Sequence, residues 1–556
     1  MKRYAFPTLV FLVVFLAFWL RFYKVTEIPP ALNWDEVSIG YNAYSILKTG
    51  KDEWGETLPV HFRSYGEYKL PAQIYASIPG IAIFGLNELG LRITPVVYGT
   101  LTVLIVYFLA SLLFSSTLGG KSKWIGLGAS FLLAISPWHI QLTRGSFESS
   151  FSVFWISLGV LLLVKGFEKP KWWILSVIPF ALSIYTYNSA RVFAPLFLGV
   201  VFLLYRKDVL KEIKTFLLCI LFFIICLIPL LMFLVSGEAT ARLKLVSIMD
   251  DPGFVLRINQ ARGQMRLPDP LPRLIHNKVT HFTYVFGKNY LAHFKPEFLF
   301  ISGAGHKQHH VQGVGELYAF QAPFLVIGLI YLIKKKNKFS RLLIVWILVT
   351  FIPVSITVDS IPNALRTLIA VVPYQIITAY GFYEFYLIID KRKMLRSIAL
   401  VIIFVTIGLS MKNYLNNYYN VYPKLYSKDW QYGYKQAVGY IGDHYNEYDL
   451  IVFSRHYGEP HMFTLFFTTW DPDKFQNDIN LNRFETYDWV RVLRFDKFYF
   501  PDLGDKETQF GDIRNKNLDK KILFVGKPGD FSDNLPRLLN VDFVNGDRAF
   551  EIVEAK

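Results

Sequence analysis

The sequence predicts an all-α membrane bundle of about eleven transmembrane helices with a long first outer loop carrying surface helices, followed by a small soluble α/β domain at the C-terminal end. Three observations predict it. Of 556 residues, 53% are hydrophobic and only 18% charged. Apolar runs recur along the first three-quarters of the chain, and clusters of lysine and arginine mark alternate ends of those runs.

A bilayer core about 30 Å thick needs roughly 20 apolar residues as a helix. Eleven such runs lie at about 5–23, 92–114, 124–140, 150–166, 172–187, 192–205, 215–235, 317–333, 342–357, 366–389 and 394–415, the sixth being short and leaning on its flanks. Hydrocarbon leaves the polar groups of an open strand unsatisfied, so these runs are expected to be helices. Lys2 and Arg3 precede the first run in the manner of a secretion signal. That run reaches Trp19–Leu20 and ends on Arg21 without a small-residue cleavage site, so it reads as an uncleaved first span.

The positive-inside rule orients the bundle. With the N-terminus in the cytoplasm, the inner loops carry Lys121 and Lys123, then Lys165, Lys169 and Lys171, then Arg206, Lys207, Lys211 and Lys214. Further on come Lys334, Lys335, Lys336, Lys338 and Arg341, then Lys391, Arg392, Lys393 and Arg396. Much of the +16 net charge is therefore topology, and no nucleic-acid partner is implied. An odd number of spans puts the C-terminal segment, all eleven histidines and the loops 24–91 and 236–316 on the outer side of the plasma (cytoplasmic) membrane. Cys219 and Cys226, seven apart in one apolar run, are expected to be core residues, since two helical turns are too far for a disulfide.

The first outer loop holds an amphipathic segment, Val37 to Leu47, with Val37, Tyr41, Tyr44 and Leu47 on one face, and a second apolar segment, Leu70–Phe84. Both are expected to lie on or dip into the membrane surface. The loop 236–316 mixes basic residues, prolines and aromatics and is expected to pack over the bundle. From about Asn416 the chain becomes polar: a helical stretch near Gln431–Ile441, extended runs at Leu450–Ser454 and Lys521–Val525, and a hairpin at Val541–Ile552 turning on Asn545–Gly546. The chain is accordingly divided into a membrane domain, 1–415, and an extracytoplasmic domain, 416–556.

The most informative stretch is NWDEVSIGYNAYSIL at 33–47. Asn33 and Glu36 have the spacing of a capping box. That leaves the adjacent acid, Asp35, without a structural duty and available for chemistry beside the membrane. Lys69, just ahead of Pro71, is either a lysine snorkelling to the headgroups or a phosphate ligand at a helix entrance. SPWHIQLTRGSFESS at 136–150 offers Arg144 and Glu148, an i, i+4 pair if one helix carries both. YTYNSARVFAP at 185–195 offers Tyr187 and Arg191, and DSIPNALRTLIA at 359–370 offers Asp359 and Arg366. Ionisable residues at span ends on one side are functional candidates. Acids and cations gathered at one mouth suit an anionic lipid headgroup reacting with a hydroxyl. His306, His309 and His310 are either metal ligands or a solvated polar loop.

WDE in the first outer loop, GEYKLP before the second segment, NELGLRITPVVYG, SPWHIQLTRGSFE and YTYNSARVFAP together resemble glycosyltransferase family 39 over roughly residues 1–415. That group includes protein O-mannosyltransferases and lipid A aminoarabinose transferases. The resemblance implies a GT-C membrane fold. It also implies a donor that is a polyprenyl-phosphate sugar and an acceptor hydroxyl on a protein, lipid or glycan. By the resemblance, the acid of the first-loop pair falls on Asp35, with Glu36 beside it, the phosphate-binding lysine on Lys69 and the second-loop acid on Glu148. Relatives of the aminoarabinose type carry a metal-binding Glu just before that lysine. Tyr68 stands there and Glu67 is one residue off, so a divalent metal is a possible cofactor only.

The expected enzyme is a polyprenyl-phosphate-sugar-dependent, mannosyltransferase-like inverting glycosyltransferase, with Asp35, Glu36 and Glu148 as catalytic candidates. Lys69, Arg144, Tyr187, Arg191 and Arg366 are the candidates to bind the donor phosphate. A transporter or flippase would instead place ionisable residues near the midplane, and a non-catalytic receptor for lipid-linked glycans would work through the C-terminal domain. An oligosaccharyltransferase-type WWD motif is absent: Trp172–Trp173 is followed by Ile174.

Overall fold

The computed structural model describes residues 2–66, 68–235, 246–335, 338–486, 489–503 and 509–555. The chain forms two compact units. One comprises Met1–Tyr23, Pro95–Thr143 and Phe147–Leu415; the other comprises Lys24–Thr94, Arg144–Ser146 and Asn416–Lys556.

The first unit is helical. The predicted apolar runs fall in helical segments, from Lys2–Phe22 to Lys393–Asn416, but the runs at 124–140, 342–357 and 366–389 are each divided between consecutive helices. Five helical segments among the described residues are long and apolar enough to cross a membrane: Glu88–Leu113, Glu148–Gly166, Ile213–Phe233, Ala364–Ile389 and Lys393–Tyr426. Their outward residues are those expected against hydrocarbon, Phe404 being 79% exposed and Met232 71%. Cys219 and Cys226 are free thiols and only partly buried, so they are not core residues. The run that carries them is a helix with few neighbours, and such a helix presents most of its circumference outward.

The second unit joins the segment Lys24–Thr94 to the C-terminal segment. Two short strands, β1 (Phe62–Arg63) and β2 (Tyr68–Lys69), pair antiparallel. A mixed seven-stranded sheet contains β3 (Leu450–Phe453), β4 (Asn482–Glu485), β5 (Val490–Phe495), β6 (Phe498–Tyr499), β7 (Ile522–Gly526), β8 (Arg537–Asp542) and β9 (Arg548–Ala555) in the order β4-β5-β6-β3-β7-β9-β8. The central strands β3 and β7 are parallel and buried throughout, which explains their unbroken apolar runs. The predicted hairpin is β8–β9, turning where Gly546 takes φ +92°. The predicted helix is Tyr434–Asp443.

The helix Trp34–Thr49 departs from expectation. Its Val37, Ile39, Tyr41, Ala43 and Ile46 lie in one hydrophobic core with Tyr434, Phe463, Phe466 and Phe550. Residues on several faces are therefore buried, and the helix is an internal element of this unit; it is not spread on a membrane surface. Gly40 shows how close the packing is, since a Cβ there would stand 2.5 Å from the Phe466 ring. A one-sided reading of Val37, Tyr41, Tyr44 and Leu47 missed the partner for the other side, which comes from about 400 residues further along the chain.

Candidate functional site

The Trp34–Thr49 helix begins as its sequence dictates. The Asn33 side chain accepts from the Glu36 amide at 2.9 Å, and Glu36 Oε2 accepts from the Asn33 amide at 3.3 Å, closing the capping box. Glu36 does more than cap. It is fully buried, and Arg92 donates to it through Nε at 2.9 Å and Nη2 at 3.0 Å. The Ser146 amide donates to Glu36 Oε1 at 3.1 Å. Arg92, also fully buried, uses its remaining donors on the carbonyls of Val25 (3.0 Å), Pro29 (2.9 Å) and Ala31 (2.6 Å). The pair thus ties the segment 25–31 and the turn at Ser146 to the start of the helix. Arg92 was not a candidate in the sequence, where NELGLRITPVVYG serves only to carry the family resemblance. Its signal was the charge itself, set in the apolar helix Glu88–Leu113.

Asp35 points elsewhere. Its side chain is 41% exposed and forms an ion pair with the ammonium of Lys69, whose own side chain is 3% exposed. Lys69 ends β2, and Leu70 caps the helix Pro71–Phe84 with proline in its first turn. Lys69 is therefore buried rather than snorkelling to headgroups. Glu67 lies outside the described residues.

A third acid stands close by. Glu53 is buried; its Oε1 accepts from Asn42 Nδ2 at 3.0 Å, and its amide donates to Asn42 Oδ1 at 3.1 Å. Burial pushes its carboxyl up to about 7, against the Asn42 hydrogen bond and the charges of Arg483 and Lys69. Burial also raises Asp52, whose Oδ1 accepts from the amides of Trp54 and Glu56 at 2.8 and 2.9 Å. Glu53 too escaped the sequence, because KDEWGE reads as a solvated turn.

Arg144 sits in a turn between the helices Pro137–Leu142 and Glu148–Gly166. It shares no helix with Glu148, so the expected i, i+4 pair does not form in that way. Its Nη2 donates to the Ile28 carbonyl at 2.7 Å, and its guanidinium stands 5.3 and 5.5 Å from the ring centres of Tyr418 and Tyr419.

The remaining candidates belong to the helical unit. Glu148 opens its helix, a favourable place for an acid. Tyr187 caps the helix Asn188–Leu204, whose first turn carries Arg191. Arg191 Nε and Nη2 are buried and find no hydrogen-bond partner among the described residues. Arg366 Nη2 lies 2.8 Å from Asp359 Oδ2, and its Nη1 donates to Thr357 Oγ1 at 2.9 Å.

The histidine cluster is only partly solvated: His306 and His309 are half-buried and His310 is buried. His306 and His309 stack with ring centres 3.7 Å apart, and buried His310 stands 3.0 Å from the buried carboxylate of Glu316. Among the described residues no group of three or more His, Cys, Asp or Glu is placed to hold a metal ion.

The family described as dolichyl-phosphate-mannose-protein mannosyltransferase matches residues 73–233, which include Arg92, Arg144, Glu148, Tyr187 and Arg191. A search of curated proteins gives no match. Among solved structures, the archaeal oligosaccharyltransferase AglB from Archaeoglobus fulgidus, in complex with an inhibitory peptide and a dolichol-phosphate, is similar with a TM-score of 0.51. Its identity is 14%, over 84% of this chain and 64% of that one. The A. fulgidus oligosaccharyltransferase in complex with Zn and sulfate gives 0.50, at 14% identity over 83% and 61%. ArnT from Cupriavidus metallidurans bound to undecaprenyl phosphate gives 0.49, at 12% identity over 99% and 97%. This chain thus spans less than two thirds of the length of AglB. The apolar helices, the family match and the AglB likeness lead to one conclusion: this is an integral membrane protein with a GT-C fold like that of glycosyltransferase family 39.

Proposed function

We propose that the protein is an inverting glycosyltransferase of the plasma membrane that moves a sugar from a polyprenyl-phosphate donor to a hydroxyl on a protein, lipid or glycan at the outer face. The observation that carries this reading is the Asp35–Lys69 pair: an acid open to an incoming acceptor, held by a cation that is itself out of water. The dolichol-phosphate in AglB and the mannosyltransferase description of the matched family support a lipid-linked donor.

In this reading Asp35 takes the proton of the acceptor hydroxyl as its oxygen attacks the anomeric carbon. The bond from that carbon to the phosphate oxygen breaks, and the polyprenyl phosphate leaves with the electron pair. General-base help of this kind is typically worth about 10²–10⁴ in rate. The leaving phosphate is already stable as an anion, so a general acid is not required. Lys69, Arg144, Tyr187, Arg191 and Arg366 are carried from the sequence as the candidates to stabilise its charge. Glu148 is carried as a second acid on the strength of the resemblance. Glu36, saturated by Arg92 and by the cap, is proposed to position Asp35 rather than to exchange protons. The eleven-span topology and the division into a membrane domain, 1–415, and an extracytoplasmic domain, 416–556, belong to the same proposal.

Membranes holding the protein, incubated with radiolabelled polyprenyl-phosphate sugars, should move label to a lipid, glycan or protein acceptor. If no such donor is consumed above the level of membranes lacking the protein, the reading fails.

A further inference from the structure

The segment 246–296 has apolar surface that its own core does not use. Phe254 and Ile258 of the helix Phe254–Gln264 are buried with Ile248, and Phe282, Val285 and Phe286 of the helix Lys278–Ala292 pack against them. The second helix is fastened to the helical unit near its end. Asn289 Nδ2 donates to the Thr357 carbonyl at 2.8 Å, and the Tyr290 hydroxyl to the Leu348 carbonyl at 2.9 Å. Those contacts account for one side. Leu256 (59%), Leu274 (64%) and Val279 (73%) remain exposed, with Leu267, Leu271 and Ile275 at 42–46%. Neither helix is counted among the apolar helices of membrane-crossing character.

Six exposed large apolar side chains within 24 residues are a concentration that asks for a covering surface, where scattered single residues would need no explanation. The charge says what it docks on. Seven basic side chains stand against three acidic ones between residues 246 and 296; exposed Arg266 and Lys278 are interleaved in sequence with the exposed leucines and valine, and exposed Lys288 lies between Val279 and Leu291, which is 63% exposed. Exposed apolar side chains among lysines and arginines, on short helices anchored beside spans, have the composition of an interfacial segment on anionic lipid. A protein partner of matching acidity would be a different occupant, but the anchoring of Lys278–Ala292 to a unit of membrane-spanning helices favours the bilayer.

We propose that residues 246–296 dock onto the surface of an anionic bilayer, with Leu256, Leu274 and Val279 entering the headgroup boundary and Arg266, Lys278 and Lys288 meeting lipid phosphates. The proposal is independent of the sugar-transfer reading.

The test places an environment-sensitive fluorophore on Leu274→Cys or Val279→Cys in a Cys219→Ser/Cys226→Ser background. The whole protein is reconstituted in nanodiscs, and Lys516→Cys, on an exposed turn of the sheet-bearing unit, serves as reference. Lipids brominated on the acyl chains should quench the label at 274 and at 279 about two-fold or more relative to unbrominated lipid, and leave 516 unchanged. Quenching should be stronger in phosphatidylglycerol-containing discs than in phosphatidylcholine alone, and Arg266→Gln/Lys278→Gln/Lys288→Gln should abolish that difference. Equal quenching at 274, 279 and 516 overturns the docking, including the case in which a soluble partner covers this face. Quenching at 274 and 279 that is indifferent to lipid charge overturns the anionic-lipid assignment.

Discussion

Lys69 and Asp35 form an ion pair of unequal burial: the ammonium is almost wholly enclosed and the carboxylate is 41% exposed. The two residues are asymmetric in what their loss should do. The Lys69 charge is enclosed by its surroundings, while the Asp35 carboxylate is open on one side.

Replacing Lys69 by Met keeps the apolar stem and removes the charge. If the ammonium is a phosphate ligand, donor affinity should fall about ten- to hundred-fold, the range of a lost charge-assisted hydrogen bond. Lys69→Arg should rescue poorly, because a planar fork does not fit a site enclosed around a compact ammonium. Titration with a polyprenyl-phosphate donor checks both. Unchanged affinity in Lys69→Met would remove the residue from the phosphate site and leave it as the partner of Asp35.

Glu36 and Arg92 should behave as one structural unit. Arg92→Met leaves a buried carboxylate without its partner and three carbonyls short of a donor, a loss of about 3–5 kcal/mol. Glu36→Gln should cost more than the 0.5–2 kcal/mol typical of a lost cap alone, because it also strands the Arg92 guanidinium. The double variant should be less harmful than the sum of the two. Thermal unfolding in detergent measures all three, and strict additivity would contradict the coupling.

Gly40→Ala tests where the Trp34–Thr49 helix lies. Alanine improves intrinsic helix propensity, so on a membrane surface it should be neutral or stabilising. Against the Phe466 ring it should be destabilising by about 1–3 kcal/mol, the usual range for overpacking. A rise in melting temperature would return the helix to the surface.

Glu53 gives a pH signature. Its carboxyl is raised from 4.5 to about 7 by burial, so the folded state holds its proton more tightly than the unfolded chain. Its contribution is fully present below about pH 4.5 and is lost as pH rises through about 7. Glu53→Gln keeps an acceptor for Asn42 and carries no charge, so its melting temperature should overtake that of the wild type as pH increases across this window. Parallel curves for the two proteins would contradict the assignment.

What was legible in the sequence was local. Asn33 and Glu36 are three residues apart, and the box they close follows from that spacing alone. The same holds for the hairpin around Asn545–Gly546 and the buried strands β3 and β7. What was hidden depends on distant partners. Arg92 meets Glu36 across 56 residues, and Gln431 accepts from the Trp34 amide across 397. The Trp34–Thr49 helix was read with one buried face because its other partner, around Phe463–Phe466, lies in what reads as a separate soluble domain. Asp35 and Lys69 were both singled out, but as base and phosphate ligand; no pattern of spacing couples two side chains 34 positions apart.

Labelling of cysteines introduced at Lys335 and at Asn480 tests the topology that places this chemistry outside. An impermeant reagent applied to intact cells should modify the position at 480 and spare that at 335. Modification of both without lysis would sink the proposed orientation.

The central claim is that Asp35 accepts the proton of the acceptor hydroxyl. Single-turnover transfer of radiolabelled sugar from a polyprenyl-phosphate donor, by wild type and Asp35→Asn in the same detergent, tests it most directly. The amide keeps the shape of the side chain but cannot take the proton. The rate should therefore fall by about 10²–10⁴, with donor affinity and melting temperature nearly unchanged, since the side chain is substantially exposed. Transfer by Asp35→Asn at the wild-type rate would contradict the account.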